Sequence, residues 1–220
     1  MTCDCSFVKP LIAWWRSSGT RRYPWRETSD PYAVLVAEIL LQRTRRDKVT
    51  EVYTEFLRRF PTPQALAGTS VKAVEKVIAP LGLRKRAPYL VKLGRAILEN
   101  PDALASGRFE ELPGIGGYIA SAARLFLGIP TSLKADSSIA RVLSRYYGLP
   151  LSRRPGDTPW VNECLNSCSP RDPLGKREYF LALIDLAWEV CDPRKPKCGN
   201  CPLRHGCRYY RGKGRTVKTP

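Results

Sequence analysis

Apolar residues recur at helical spacing along most of the chain, and the alternating pattern typical of β-strands is essentially absent. In residues 31–60, apolar residues stand at helical spacing at Val34, Ala37 and Leu41 and, further on, at Val52, Phe56 and Leu57. This stretch is long for one helix and turns polar near Thr44–Asp47. We therefore expect two helices there, with a break between them.

Residues that start and stop helices support this pattern. Asp30 precedes Pro31, and Ser70 precedes the amphipathic stretch Val71–Ile78, as expected of N-terminal caps. Gly82 follows the second stretch at the place of a helix end. Further helices are predicted over residues 88–98, 119–127, 137–147, 158–169 and 175–190. The sequence thus predicts an all-α protein.

The chain is strongly basic, with 37 Lys and Arg against 20 Asp and Glu and a formal net charge of +17. Such an excess opposes compaction, so a polyanionic partner, most simply nucleic acid, is the economical explanation. A basic protein without such a partner is the alternative. No run of about 18 apolar residues is present and the N-terminus lacks a secretory pattern, so we expect a cytoplasmic protein without membrane association.

Four cysteines lie close together in the order Cys191-x6-Cys198-x2-Cys201-x5-Cys207. The spacers contain Pro, Gly and Lys, which suit a loop wrapped around a metal centre better than core packing. Thiolates are ligands of zinc and of iron–sulfur clusters. Zinc sites usually show two matched C-x2-C pairs and here there is one, which argues against zinc; a [4Fe–4S] cluster and free thiols are the other interpretations.

The other four cysteines, Cys3, Cys5, Cys164 and Cys168, form no comparable set of ligands. In an intracellular protein we expect free thiols or metal ligands rather than disulfides. Cys164 and Cys168 are four residues apart and are interpreted as one face of a helix. The sequence leaves the roles of Cys3 and Cys5 open.

The segment Leu112-Pro-Gly-Ile-Gly-Gly-Tyr118 predicts a sharp turn flanked by two apolar helices. Gly114 and Gly116 allow backbone conformations that are closed to other residues, and Leu112 and Ile115 would fill the core below the turn. Backbone N–H groups at the following helix N-terminus can bind a phosphate. A plain helix–helix turn would have a similar sequence.

Asp136 stands about 20 residues further on, directly before the predicted helix 137–147. An aspartate in this position is, by itself, an ordinary helix cap. The combination of the glycine turn, this aspartate and the four-cysteine loop, in this order and at these spacings, resembles the helix–hairpin–helix DNA glycosylases of the endonuclease III and MutY superfamily. The resemblance covers about Tyr23 to Cys207.

The resemblance implies a two-lobed all-α fold. One lobe, residues 27–134, would be a six-helix barrel with the helix–hairpin–helix, and residues 1–26 plus 135–220 would form a discontinuous lobe with the cluster. The spacing of the four cysteines is that of the family's [4Fe–4S] loop. In that family the cluster keeps the loop rigid, so that loop cations, here Arg194, Lys195 and Lys197, meet DNA phosphates. A solvated basic loop is the alternative.

The resemblance also implies the reaction. The enzymes hydrolyse the N-glycosidic bond of a base that has left the stack of duplex DNA, and they leave an abasic site. A carboxylate such as Asp136 stabilises the oxocarbenium-like sugar or activates water. Bifunctional members carry a Lys after the hairpin glycines, where this chain has Tyr118. Because a phenol cannot form an imine, efficient strand cleavage (AP lyase activity) is not expected.

Tyr118 resembles the thymine-DNA glycosylases of the archaeal mismatch-repair branch, although it could also be a packing aromatic. Tyr23-Pro-Trp-Arg26 and Glu38-x3-Gln42-Arg43-Thr44 resemble segments shared by the MutY and mismatch-thymine branches. Glu38 would then face the base pocket, Gln42 would fill the gap in the stack, and Arg43 would contact the widowed guanine. A satisfied polar residue on a helix is the alternative for Glu38.

The segment Leu81–Ala87 resembles a loop that inserts beside the unpaired base. Leu83 would be the apolar wedge, with Lys85 and Arg86 on phosphates, unless these residues are a core leucine and solvated charges.

The leading hypothesis is a monomeric, monofunctional glycosylase for thymine or uracil opposite guanine, acting at the nucleoid. An adenine or other damaged-base glycosylase is the alternative, and a catalytically silent DNA-binding module is the third hypothesis.

Overall fold

A computed structural model describes residues 2–18, 22–42, 44 and 46–212. All regular secondary structure in these ranges is helical, as the sequence predicts. The chain divides into two compact units, Met1–Arg21 with Ser132–Pro220, and Arg22–Thr131. The lobe boundaries at 27 and 134 stay a prediction. Within the described ranges, no helix is long and apolar enough to cross a membrane.

The first unit is built from chain segments at both ends of the sequence. Its α-helices are α1 Val8–Ser17, α10 Ser137–Tyr147, α11 Pro159–Ser167, α12 Pro173–Glu189 and α13 Arg208–Gly212. Two 3₁₀ turns, Pro155–Asp157 and Cys198–Asn200, stand before α11 and within the cysteine loop.

The second unit contains α2 Pro24–Glu27, α3 Pro31–Leu41, α4 Arg46–Arg59, α5 Pro63–Ala67, α6 Val71–Ile78, α7 Ala87–Glu99, α8 Pro101–Ala105 and α9 Gly117–Phe126. Its 3₁₀ turns are Ala79–Leu81, Arg84–Arg86 and Phe109–Glu111.

The core of the first unit forms around α12, which packs against α1 and α10. Leu11 and Trp15 of α1 are buried, and Trp15 Nε1 donates a 2.9 Å hydrogen bond to the buried carboxylate of Asp185. Phe7 packs in the same region against Tyr146 and Tyr179. These contacts bring the N-terminal segment onto helices that lie more than a hundred residues later in the sequence.

The core of the second unit contains α3, whose residues Tyr32 to Leu40 are all buried. A helix that is apolar on every side belongs in an interior, and α3 packs against α4 and α9. Glu38 is the acidic residue in this run and is 6% exposed. The helix that positions Glu38 is therefore fixed by packing on all its faces.

Most of the predicted helices are confirmed. The Asp30 carboxylate accepts from Tyr32 N and the Ser70 hydroxyl from Ala73 N, so both caps form. The predicted break after α3 separates it from α4, and α10 spans the predicted residues 137–147. The prediction of an apolar helix directly before the glycine turn is wrong, because the 3₁₀ turn Phe109–Glu111 stands there.

The prediction that the remaining cysteines are free thiols or ligands is wrong. Cys3 is bonded to Cys164 and Cys5 to Cys168, with Cα–Cα distances of 5.5 and 5.1 Å, as usual for disulfides. The predicted helix face is real, since Cys164 and Cys168 both lie on or at the end of α11. Its partner is the N-terminal segment, which packing of α1 brings beside it.

Candidate active site and cluster loop

Asp136 caps α10 in the first unit. Its Oδ1 accepts hydrogen bonds from Ser138 N at 2.9 Å and from Ile139 N at 2.7 Å. The Ser138 hydroxyl lies 2.8 Å from both carboxylate oxygens. These donors fix the orientation of the carboxylate, and the helix N-terminus stabilises its negative charge. Asp136 is partly exposed, so a reactant can reach it. The arrangement suits both a cap and a catalytic carboxylate.

The glycine turn of the second unit is closed by a 3.2 Å hydrogen bond from Ile115 N to Leu112 O. Leu112 and Ile115 are buried below it, as predicted. Gly114 has φ of +79°, a region that side-chain-bearing residues rarely adopt. The same prediction for Gly116 is wrong, because its φ of −85° and ψ of 169° are ordinary extended backbone.

The surface above this turn is open. A Cβ built on Gly114, Gly116 or Gly117 would meet no atom within 4 Å. Gly116 is the N-cap of α9 and no side chain caps this helix. The first amides of α9 therefore face a space that a phosphate group can approach closely.

Tyr118 and Glu38 lie on two helices that pack against each other. Tyr118 is in the first turn of α9 and half-buried, while Glu38 is in α3 and buried. A carboxylate on an otherwise apolar helix is costly to bury and needs polar or charged partners there. Both residues therefore belong to the pair of packed helices, α3 and α9, in the second unit.

The predicted DNA contacts of the second unit occupy different environments. Gln42 ends α3 and is partly exposed; Leu83 is also partly exposed, and Lys85 is exposed. Arg86 Nη1 donates to the carbonyl of Ile39, so its guanidinium also has a partner within the unit. Arg43 lies outside the described residues.

The four cysteines of the loop line one largely apolar cavity in the first unit. Burial raises the pKa of Cys201 to about 11, and the neighbouring thiols Cys191, Cys207 and Cys198 add to this shift. Burial also raises the pKa of Cys207. Four thiolates this close together need a cationic centre to hold them as anions, so the donor set fits a metal–sulfur group.

The cavity suits a cluster better than a single ion. A structural zinc needs four ligands that converge on one point at about 2.3 Å. A [4Fe–4S] cluster instead binds each thiolate to a different iron, so its four ligands need not converge on one point. Within the part of the chain that the structure describes, no group of three or more His, Cys, Asp or Glu side chains is arranged to hold one metal ion.

Arg145, for which the sequence analysis predicts no role, anchors the cysteine loop to α10. Its guanidinium lies 3.3 Å from Cys191 Sγ, and it donates to the carbonyls of Asp192 at 2.7 Å and Pro193 at 2.9 Å. It also lies 4.7 Å from the ring centre of Tyr209. A basic residue on a helix gives no sequence signal for such contacts, because these loop partners lie more than 45 residues away. When the cluster is bound, Arg145 neighbours one of its ligands.

Asp192 shapes the part of the loop that carries the cations. Its carboxylate accepts from Lys195 N at 2.7 Å and Arg194 N at 2.8 Å, and these hydrogen bonds lower its pKa. The predicted phosphate-binding residues Arg194 and Lys195 are exposed, and so is Lys197. The turn therefore presents three cations to solvent between the first two cluster ligands.

Comparison with protein families agrees with these features. Residues 36–159 match the HhH-GPD superfamily of base excision DNA repair proteins. Residues 191–207 match the iron–sulfur binding domain of endonuclease III, and these are the residues from the first to the last cysteine of the loop. The protein therefore carries a [4Fe–4S] cluster in this domain.

Curated relatives cover nearly the whole chain. A thymine-DNA glycosylase of Aeropyrum pernix is 40% identical over 91% of this chain and 92% of its own. A thymine/uracil-DNA glycosylase of Pyrobaculum aerophilum is 37% identical over 95% of this chain and 94% of its own. An adenine DNA glycosylase of Mycobacterium tuberculosis is 30% identical over 88% of this chain but 64% of its own.

Solved structures show the same fold. A thermostable thymine-DNA glycosylase superposes with a TM-score of 0.78 at 28% identity, over 93% of this chain and 95% of that one. A non-covalent endonuclease III–DNA complex gives a TM-score of 0.77 at 18% identity, over 97% of this chain and 100% of that one. The chain belongs to the HhH-GPD superfamily and is a DNA-binding base excision repair glycosylase with an endonuclease III-type iron–sulfur domain.

Proposed function

We propose that this glycosylase removes thymine or uracil mispaired with guanine and leaves the DNA strand uncut. The observation that carries the proposal is the match with the thymine-directed relatives, which spans more than nine-tenths of both chains. The adenine glycosylases are less similar, and this chain spans 58 to 64% of the length of those from two bacteria.

Asp136 is the residue to which we assign the chemistry. As the C1′–N bond breaks, its electron pair goes to the departing base and the sugar becomes positively charged. The carboxylate stabilises this cation, and a water oxygen bonds to C1′ after passing its proton to a base such as Asp136. The donors from Ser138 and Ile139 support this role, because they hold the carboxylate in one orientation before the reaction.

Tyr118 and Glu38 are assigned to recognition of the base. Tyr118 stands where strand-cleaving members carry a lysine amine, and a phenol cannot attack C1′ to give an imine. Glu38 is buried on α3, where it can orient the ring of thymine or uracil by hydrogen bonding. Gln42 and Arg43 would occupy the gap and contact guanine, and Leu83 would separate the neighbouring bases.

Phosphate binding is assigned to Gly114 and Gly116 in one unit and to Arg194, Lys195 and Lys197 in the other, with Lys85 and Arg86 as further contacts. The open glycine turn and the exposed cations support these assignments. The formal charge of +17 suits a protein that stays close to nucleoid DNA. We expect it to act there as a monomer.

One set of duplexes separates the candidate functions. The purified protein is incubated with T·G, U·G, A·G and A·8-oxoguanine duplexes, and abasic product is revealed with alkali. We expect product from T·G and U·G, and no strand cleavage before alkali is added. Product only from the adenine duplexes would overturn the base assignment, and no product from any duplex would favour a silent binding module.

A further inference from the structure

The segment directly before Asp136 has no regular secondary structure and pairs its backbone with side chains of α11. Leu133 N donates to Asn166 Oδ1 at 2.7 Å, and Asn166 Nδ2 donates to Leu133 O at 2.8 Å. One amide side chain therefore satisfies both backbone polar atoms of Leu133. This is the pairing that a neighbouring β-strand would provide.

The preceding turn of α11 continues the same pattern. Ala135 N donates to Asn162 Oδ1 at 3.0 Å, and Asn162 Nδ2 donates to Gly156 O at 2.7 Å. Asn162 and Asn166 are four residues apart, so they lie on one face of α11. The two amides together hold alternate residues of the segment that leads to Asp136.

Gly156 brings a third constraint. A Cβ on this residue would approach Ala135 O to 2.5 Å and the carbonyl carbon of Asp136 to 3.5 Å. The backbone of the 3₁₀ turn Pro155–Asp157 thus lies directly against the peptide that leads into Asp136. Leu133 and Ala135 are buried, so the segment is also held by packing.

We propose that Asn162 and Asn166 are positioning residues for Asp136, which they align through the backbone of Leu133–Ala135. The inference rests on the catalytic role proposed for Asp136. The carboxylate is fixed on its C-terminal side by Ser138 and Ile139, and the asparagines fix the chain on its N-terminal side. A loosened segment would let the carboxylate move away from C1′, which lowers the cleavage rate without changing affinity for the duplex.

Asn166→Asp tests this role, because it changes one NH₂ group to oxygen. At pH 8 the new carboxylate cannot donate to Leu133 O and repels it, so we expect single-turnover cleavage of a U·G duplex to fall by about tenfold or more. Affinity for the same duplex carrying 2′-fluorinated deoxyuridine, which resists cleavage, should change by less than about twofold. As the pH falls, a protonated carboxyl can again donate and accept.

Repulsion by Leu133 O raises the pKa of the new carboxyl above that of an ordinary aspartic acid, so the ratio of the Asn166→Asp rate to the wild-type rate should rise as the pH is lowered from about 8 to about 5. A mere loss of stability would not give this recovery. Asn162→Ala provides a second variant, with the same loss of rate and unchanged affinity expected. If Asn166→Asp does not fold, as judged by circular dichroism and cluster absorbance, Asn162→Ala decides the question alone.

Cys5→Ser is the matched control. It removes the Cys5–Cys168 disulfide, which attaches α11 to the N-terminal segment, and leaves the hydrogen bonds of the two asparagines in place. We expect it to lower the melting temperature and leave the cleavage rate unchanged below that temperature. Wild-type rates for both asparagine variants, or a Cys5→Ser rate as low as theirs, would overturn the positioning role. Wild-type cleavage by Asp136→Asn would instead reject the catalytic role proposed for Asp136, so the two failures are distinguishable.

Discussion

The hydroxyl of Ser138 lies 2.8 Å from each carboxylate oxygen of Asp136. Ser138 is buried at the start of α10, whereas its neighbour Ser137 is exposed. The hydroxyl can thus donate to whichever oxygen is not otherwise engaged, and it keeps the carboxylate plane from rotating. Sequence alone would rank the two serines equally.

Ser138→Ala should slow base release by about ten- to a hundredfold, because a hydrogen bond to a charged group contributes about 1.5–3 kcal/mol. Single-turnover kinetics on a U·G duplex measures this effect. The backbone caps from Ser138 N and Ile139 N remain, so the protein should stay folded, with its melting temperature lowered by roughly 3–12 °C at most. Ser137→Ala is the matched control and should cleave at the wild-type rate; equal effects of both substitutions would argue against orientation by Ser138.

Tyr118→Lys should convert part of the activity into strand cleavage. A lysine amine in the first turn of α9 can attack C1′ and form an imine with the opened sugar. Borohydride should then trap a covalent protein–DNA complex that the wild-type protein does not give. Tyr118→Phe is the control and should not be trapped. A trapped complex with the wild-type protein would contradict the argument from the phenol.

The cations of the cysteine loop should contribute affinity that does not depend on the base pair. Replacing Arg194, Lys195 and Lys197 with Gln should weaken binding equally for matched and mismatched duplexes. The slope of log K against log salt should become shallower by about 0.9 for each DNA phosphate that the variant no longer neutralises. Lys9→Gln, at an exposed position of α1, is the control. An unchanged salt slope in the triple variant would place these residues away from the DNA.

The two disulfides should raise thermal stability, because they join residues separated by 161 and 163 positions in the sequence. A disulfide typically contributes about 2–4 kcal/mol, which is roughly 5–15 °C in a chain of this size. Scanning calorimetry of Cys5→Ser should show a shift of this order, with cluster absorbance retained. Mass spectrometry after alkylation should find Cys3 and Cys164 protected in this variant; alkylation of all cysteines in the wild-type protein would contradict the pairing.

Much of the helical architecture follows from local signals. Asp30 and Ser70 cap their helices through side-chain oxygens that the sequence displays, and α3 is recognisable because it is apolar along its length except at Glu38. Helix α1 gives no such signal, since it begins after Phe7 without a capping side chain. Its burial depends on Trp15 reaching Asp185, a contact that no local pattern contains.

The candidate site divides in the same way. The spacing of Cys191 to Cys207 defines the cluster loop, because its ligands are close together in the chain. Arg145 and Asn166 act through partners 46 and 33 residues away, so their roles appear only in the folded structure. For Gly116 the sequence instead suggests a role that the structure does not show. Its place in a turn predicts an unusual backbone conformation, but of the two glycines Gly114 alone has positive φ.

The cysteine pairing could not be predicted because the expectation came from the cell compartment and not from geometry. Cys3 and Cys5 are two residues apart, and Cys164 and Cys168 are four apart. Two residues of an extended segment and four residues of a helix span similar distances, so the two pairs of cysteines can face each other. The match becomes visible only when the packing of α1 against α12 brings the N-terminal segment to α11.

Cleavage by Asp136→Asn is the decisive measurement. The amide retains the size of the side chain and can still accept hydrogen bonds from Ser138 N and Ile139 N, so fold, cluster absorbance and duplex affinity should persist. It cannot stabilise the sugar cation as an anion does, and single-turnover release of uracil from a U·G duplex should fall by at least about a hundredfold. Release at the wild-type rate would show that another group carries out the chemistry.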